Sequence, residues 1–392
     1  MIRTALIAAF VGSFCFGQTG DIRIGDVRAL YDGKLLPDIQ VNTFSHIDKL
    51  FPSRKIARGK TVHPLRMSAA PLTDIQFTTW DRKHDLAEFL SLDRVAGLLI
   101  IKDGQIVLEN YELGVTDKSR WVSWSMAKSI CSTLAAAALK DGYIKSLDDP
   151  LTAYLPELAG GAYGKATVRN VLQMASGVKW DETYTDPRSD RRHMLDLQIA
   201  QKPGDIIRFL GTLPKAGEPG TVWNYSTGET HMIGAVVRAA IKRPLADYLS
   251  EKIWSKYGME SDATWWLEAP DGLEVGGSGF SATLRDYGRF GQFVLEGGKD
   301  VVPDGWFKEA GTSKVIGGKP VDYGYMWWTF GEKAAPEHQG AFRATGIFGQ
   351  ALYINPREHL VIALWSAHPK PSGAATLNEN DFFAGVVDAL HK

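Results

Sequence analysis

The stretch Ser125-Met126-Ala127-Lys128-Ser129-Ile130-Cys131-Ser132-Thr133-Leu134-Ala135-Ala136-Ala137-Ala138-Leu139-Lys140, followed by Asp141-Gly142, decides how the rest of this chain is read. Alanine and other good helix formers fill it, and Gly142 stands where a helix takes its C′ glycine. Met126, Ile130, Leu134 and Ala138 share one face, and the opposite face is also nearly uncharged. A helix apolar most of the way round belongs in a domain centre. Yet this one opens with Ser125 and Lys128, a hydroxyl and an amine three residues apart on the same face. The ordinary reading is an N-cap serine with a solvated lysine. The alternative is a buried pair, in which desolvation depresses the lysine pKa until the amine can take the serine proton. Helix N-terminal N–H groups would then suit a developing oxyanion. Apolar surroundings make a solvated Lys128 hard to accommodate and favour the pair.

Around this helix the strand signals lie near the two ends of the chain. Gly97–Ile101 and Gln105–Tyr111 flank a turn at Lys102-Asp103-Gly104, and Asp-Gly is a hairpin signal. Tyr325–Phe330, Ala351–Ile354 and Leu360–Trp365 are aromatic and β-branched runs. The chain closes on a helix with Phe382, Phe383, Val386, Val387 and Leu390 at helical spacing. Val168–Met174 and Thr230–Ala240 are further helical pieces. The expected fold is α/β (α+β): an antiparallel sheet assembled from both chain ends and flanked by helices, with a mostly helical region inserted between.

The composition narrows the function. Of 392 residues 44% are hydrophobic and 23% charged, and Lys+Arg 44 against Asp+Glu 45 gives a net charge of −1. That is the profile of a folded protein. It gives little electrostatic support to a nucleic-acid or anionic-membrane partner. A small-molecule substrate or another protein fits better.

Residues 1–17 read as a signal peptide. Arg3 is followed by a short apolar stretch, and Cys15 and Gly17 place small residues before a cleavage site. An N-terminal core helix is the alternative; a lipid anchor on Cys15 is disfavoured by the bulky Phe14. Cleavage after Gly17 would leave Cys131 as the sole cysteine, so the mature chain would rely on its core alone. The expected location is periplasmic or secreted, without a membrane span. Residues 18–84, with four prolines and no sustained period, read as an N-terminal arm or cap; 85–392 read as the catalytic domain.

Familiar motifs are mostly missing. The sequence has no G-x-S-x-G elbow, no H-E-x-x-H pair and no Walker A loop. Gly277-Ser278-Gly279-Phe280-Ser281-Ala282 matches G-x-G-x-x-A, but outside any βαβ unit. Neither a metal nor a cofactor is expected. Ser-x-x-Lys occurs twice, at Ser125–Lys128 and at Ser176–Lys179. The second has Gly177 directly after the serine and reads as a turn closing a helix.

Taken in order, the pieces resemble the serine β-lactamase and DD-peptidase superfamily, particularly its class C β-lactamase, esterase and 6-aminohexanoate-dimer hydrolase branches. Ser125-Met126-Ala127-Lys128 is similar to the first motif, and Val168–Gly177 to the helix and Ser-Gly segment. Trp223-Asn224-Tyr225-Ser226-Thr227 takes the place of Tyr-x-Asn. Gly276–Asp286 resembles the Gly-Gly loop, and Ala344-Thr345-Gly346 the late-strand Lys/His-Thr/Ser-Gly. The resemblance implies that Ser125 is the acylated nucleophile, Lys128 its base or relay, and Tyr225 the proton donor to the leaving group. It also implies an oxyanion hole from the N–H groups of Ser125 and Ile347. Thr227, Thr345 and Gly346 would contact substrate, and Tyr184, in the stretch Asp181–Pro187, would align with a substrate-contacting tyrosine.

A tyrosine near a buried ammonium is expected to ionise more easily. Two departures bear on substrate: Thr227 replaces the motif's Asn, and Ala344 its Lys or His. Strand alternation sets Arg343 on the face opposite Ala344 and so away from the site. Efficient β-lactam hydrolysis is therefore placed in doubt, and an ester or amide is the expected substrate. A class C β-lactamase or DD-peptidase is the first alternative, and a non-catalytic binding or sensor protein the second. Trp124, Trp223, Trp327 and Trp328 suggest an aromatic pocket wall.

Overall fold

The computed structural model describes residues 22–392; the segment 1–17, expected to be a signal peptide, lies outside them. The N-terminal part forms α1 (Val27–Tyr31), α2 (Pro37–Ser45), β1 (Ser53–Ile56), β2 (Arg66–Met67), β3 (Gln76–Thr79), β4 (Arg82–Asp85) and α3 (Leu86–Leu92). Then come β5 (Val95–Lys102), β6 (Gln105–Tyr111), β7 (Arg120–Val122) and α4 (Met126–Lys140). The middle is helical: α5 (Val168–Leu172), α6 (Asp190–Ala200), α7 (Asp205–Thr212), α8 (Thr227–Ile241) and α9 (Leu245–Leu249). Next are β8 (Ala263–Trp266), β9 (Phe280–Thr283), α10 (Leu284–Leu295), α11 (Trp306–Ala310), β10 (Lys314–Ile316) and β11 (Lys319–Val321). The chain ends with β12 (Trp328–Thr329), β13 (Phe342–Thr345), β14 (Ala351–Asn355), β15 (Leu360–Ser366) and α12 (Glu379–Leu390).

The main sheet has the order β12-β13-β14-β15-β5-β6-β2. Its seam is the antiparallel pairing of β15 with β5, Leu360 opposite Lys102 through Ser366 opposite Val95. The two ends of the chain thus meet in one sheet, as the strand runs imply; β2 alone pairs in parallel. Leu98 and Ile100 share a cluster with Phe382 and Phe383 of α12. Leu99 and Ile101 pack on the other side, in the cluster that holds Tyr287 and Phe290 of α10. A strand covered on both faces has no polar side, hence the uninterrupted apolar runs. Asp103 and Gly104 take φ of 50° and 75°, the left-handed pair of a type I′ turn.

Two expectations change. Residues 22–84 are not irregular: β1 joins a second sheet of order β1-β8-β9-β7, and α2 buries Phe44 completely. These elements run from two to nine residues, too short to print a period on the sequence. Tyr325–Phe330 is not one strand either; only Trp328 and Thr329 pair. Met326 takes φ 60°. The carbonyls of Tyr325 and Met326 accept from Ser132 Oγ (2.7 Å) and Ser129 Oγ (2.6 Å) of α4. Those serines tie the run to the central helix, and its backbone is taken from the sheet.

The arm also supports the turn into α4. Trp124, one residue before that helix, has φ 47°, a conformation costing a bulky L-residue roughly 1–2 kcal/mol. Its indole is held edge-on by Tyr31 (5.8 Å), Phe44 (5.5 Å) and Trp266 (6.1 Å), and Phe348 packs at 5.2 Å. Edge-to-face packing of this kind more than offsets the strain. Replacing Phe44 by alanine is expected to cost about 3–5 kcal/mol of stability, read as a lower denaturant midpoint at unchanged m-value, and to lower the turnover of any chemistry at Ser125. A midpoint shift equivalent to under ~1 kcal/mol would show that the arm does not support that turn.

Candidate active site

Strand β7 leads through Ser123, whose N–H reaches Phe280 O at 2.8 Å, into the Trp124 turn and the start of α4. Ser125 occupies the N-cap position but makes no side-chain capping bond. Its Oγ instead accepts from Lys128 Nζ at 2.9 Å. Lys128 is 1% exposed, so the solvated-lysine reading fails. The ammonium has two further acceptors, Thr227 Oγ1 at 2.9 Å and Gly277 O at 3.3 Å. The three acceptors come from the N-cap of α4, from the first residue of α8, and from the loop between β8 and β9. A Cβ on Gly277 would lie 2.9 Å from Thr227 Cγ2 and 3.3 Å from Lys128 Nζ. Only a glycine lets that carbonyl approach.

Burial lowers the Lys128 pKa to about 8, with the Glu182 charge acting against the shift. An appreciable fraction of the amine is therefore neutral near physiological pH and can accept the Ser125 proton. Tyr225 behaves otherwise than the sequence suggests. Burial and then the Glu182 charge raise its pKa, and the Ser125 hydroxyl and Arg191 offset them only in part. The phenol keeps its proton, which suits a donor rather than a base. Its ring lies 5.0 Å from Lys128 Nζ and stacks on Trp328 at 5.3 Å.

A cavity of about 780 Å³ opens over Ser125, lined also by Tyr184, Tyr225, Thr345, Gly346 and Ile347. Six of the eight residues singled out from the sequence thus share one cavity, while Lys128 and Thr227 lie behind Ser125. Among the described residues the N–H groups of Ser125 and Ile347 donate to no protein acceptor, as an oxyanion hole requires. Ala344 is 2% exposed and belongs to the core, whereas Arg343 and Thr345 line the cavity. Alternation along β13 holds, but the face turned to the cavity is Arg343's, contrary to expectation. Arg343 Nη1 donates to Glu379 Oε2 at 3.3 Å. Of the tryptophans proposed as wall, Trp328 lines the cavity; Trp124 and Trp327 are core, and Trp223 packs edge-on against Tyr323 and Trp328.

Glu182 was not singled out from the sequence. It accepts from Thr227 N (2.8 Å), Tyr184 Oη (3.0 Å), Thr227 Oγ1 and Trp180 Nε1. Four donors fill a carboxylate's acceptor sites. The result is a chain from Lys128 through Thr227 to Glu182. The only sequence signal was a carboxylate two residues before Tyr184. The second Ser-x-x-Lys is scaffold: Lys179 is exposed, and the buried Ser176 hydroxyl is bonded to Glu229.

Comparison with known proteins agrees with this geometry. Residues 93–385 match the Beta-lactamase family. The chain is 28% identical over 347 residues to the 6-aminohexanoate-dimer hydrolase of Paenarthrobacter ureafaciens, covering 84% of this chain and 85% of that one. A solved structure from Bacillus anthracis, described as a candidate 6-aminohexanoate-dimer hydrolase, superposes with TM-score 0.80 at 23% identity, over 93% of this chain and 97% of that one. A family VIII carboxylesterase gives TM-score 0.60 at 16% identity, over 78% and 94%. With a family match over most of its length and a serine–lysine pair at the floor of a cavity, the chain belongs to the Beta-lactamase family and is a serine hydrolase of the β-lactamase/DD-peptidase superfamily.

Proposed function

We propose that the protein cleaves an ester or a small linear amide through an acyl-enzyme on Ser125. The observation that carries this is the buried Lys128 amine 2.9 Å from Ser125 Oγ at the floor of the cavity. Neutral Lys128 takes the hydroxyl proton as Oγ attacks the substrate carbonyl. The carbonyl oxygen, now negative, is held by the N–H groups of Ser125 and Ile347. Tyr225 passes a proton to the departing alcohol or amine and recovers one from Lys128. Water then adds to the acyl-enzyme, and its proton leaves by the same route, releasing the acid and restoring Ser125.

Sequence similarity to a 6-aminohexanoate-dimer hydrolase, with Tyr184 in the cavity wall, supports linear amides among the substrates. A β-lactam is the second reading, favoured by the Arg343 guanidinium on the cavity wall. Against it stands the position of Ala344, buried where the superfamily motif carries Lys or His. Export to the periplasm or medium is part of the proposal; it rests on the sequence of residues 1–17 and is tested by cell fractionation with N-terminal sequencing of the mature chain.

A panel of p-nitrophenyl esters, linear 6-aminohexanoate dimer and a chromogenic cephalosporin is expected to show ester turnover well above cephalosporin turnover; comparable rates would favour the β-lactam reading. Ser125→Ala is expected to lower kcat by about 10⁴-fold or more with its denaturant midpoint preserved. Lys128→Met is expected to abolish labelling by a fluorophosphonate probe, and labelling at the wild-type rate would remove Lys128 as the base. The kcat/KM for esters is expected to rise with pH through about 8, as Lys128 loses its proton. Because the Glu182 charge favours the ammonium, Glu182→Gln is expected to move that inflection to lower pH. An unmoved inflection would show that Glu182 does not tune the lysine.

A further inference from the structure

The strands β3 and β4 are joined by a two-residue turn, with Thr79 opposite Arg82. Its residues Trp80 and Asp81 take φ of 53° and 60°. Type I′ turns favour Asn, Asp or Gly at both places; Asp81 conforms, and a tryptophan in left-handed backbone is an outlier. Trp80 is also 78% exposed. The hairpin itself is firmly seated. Thr79 Oγ1 donates to Asp381 Oδ2 at 2.6 Å, and Phe77 packs edge-on against Phe89 and Phe382. Strain, exposure and rigid support coincide at a residue that lines the cavity over Ser125, as Ile347, Ala375 and Leu377 also do. Such outliers persist where the surroundings over-determine them, and they gather at ligand clamps.

We propose that Trp80 is a specificity-determining residue whose indole receives the aliphatic arm of an ester or amide held with its carbonyl at Ser125. The assignment rests on the hydrolase reading given above and adds the substrate class: acyl groups with an extended apolar arm. Each methylene that leaves water on the indole would raise kcat/KM by up to about fourfold, acting through KM because the contact is remote from the bond that breaks.

The test is a series of p-nitrophenyl esters from acetate to octanoate, run on the wild type and on Trp80→Ala, Trp80→Phe and Trp80→Gly. In the wild type kcat/KM is expected to climb with chain length. Trp80→Ala is expected to lower the octanoate-to-acetate ratio at least fivefold, through KM, and Trp80→Phe to restore most of it. Glycine accepts the turn conformation without strain, so Trp80→Gly is expected to melt no lower than the wild type while losing the ratio. A merely structural role would not give that combination. A flat wild-type series, a ratio unchanged in Trp80→Ala, or a dimer that dissociates on Trp80→Ala with the ratio intact would overturn the proposal. Ester turnover that survives Ser125→Ala would instead overturn the reading of the site. Even then, the affinity of the Ser125→Ala protein for octanoyl p-nitroanilide, measured with and without Trp80→Ala, decides the role of Trp80: it weakens at least fivefold if the proposal holds and is unchanged if it does not.

Discussion

One buried ammonium organises this molecule. Removing a lysine from water is costly, and the cost is tolerable only if its donors find partners and its pKa can fall. Lys128 meets both conditions. Its three acceptors come from three different parts of the chain, Ser125, Thr227 and Gly277. The central helix, the first turn of α8 and the β8–β9 loop must therefore converge within one side chain's reach. Gly277, Ser129 and Ser132 serve that convergence, the first by having no Cβ and the others by fixing the chain that crosses α4.

Ser125, the proposed nucleophile, is presented by a strained turn, and the strain is carried by distant residues. Trp124 holds a left-handed backbone because an aromatic cluster fixes its indole from several sides. Two members of that cluster, Tyr31 and Phe44, belong to the N-terminal segment. The segment is thus structural support for the site as well as a strand of the second sheet. Asp32 ties it to α6 through Arg192 at 2.7 Å.

Electrostatics then separate two groups that sit side by side. The same burial lowers the lysine pKa and raises the tyrosine pKa, because it penalises whichever form is charged. A neutral amine and a protonated phenol are the pair that acylation with leaving-group protonation needs. Glu182 biases both toward holding their protons through its charge, and its hydrogen-bond path to Lys128 runs through Thr227. Where the superfamily motif has asparagine, this chain has a hydroxyl that passes a hydrogen bond on to a carboxylate.

What the sequence determined by itself was local: the extent of α4, the Asp-Gly hairpin, the apolar strand runs near both chain ends and the Ser125–Lys128 spacing. Each is written in consecutive residues by period, turn chemistry or helical geometry, and the ordered motifs placed Tyr225 and Ile347 near them. Tertiary structure alone decided the rest. That Arg343 and not Ala344 faces the cavity depends on which side of β13 the core lies, and alternation cannot tell. Glu182 became part of the site through contacts with Thr227, forty-five positions away in the chain, and no local pattern records such a contact. Trp124 and Trp328 read alike as aromatics, yet one braces the turn and the other walls the cavity. Short spacings fix which groups can lie side by side; burial and long-range packing fix which face they show and which proton they keep.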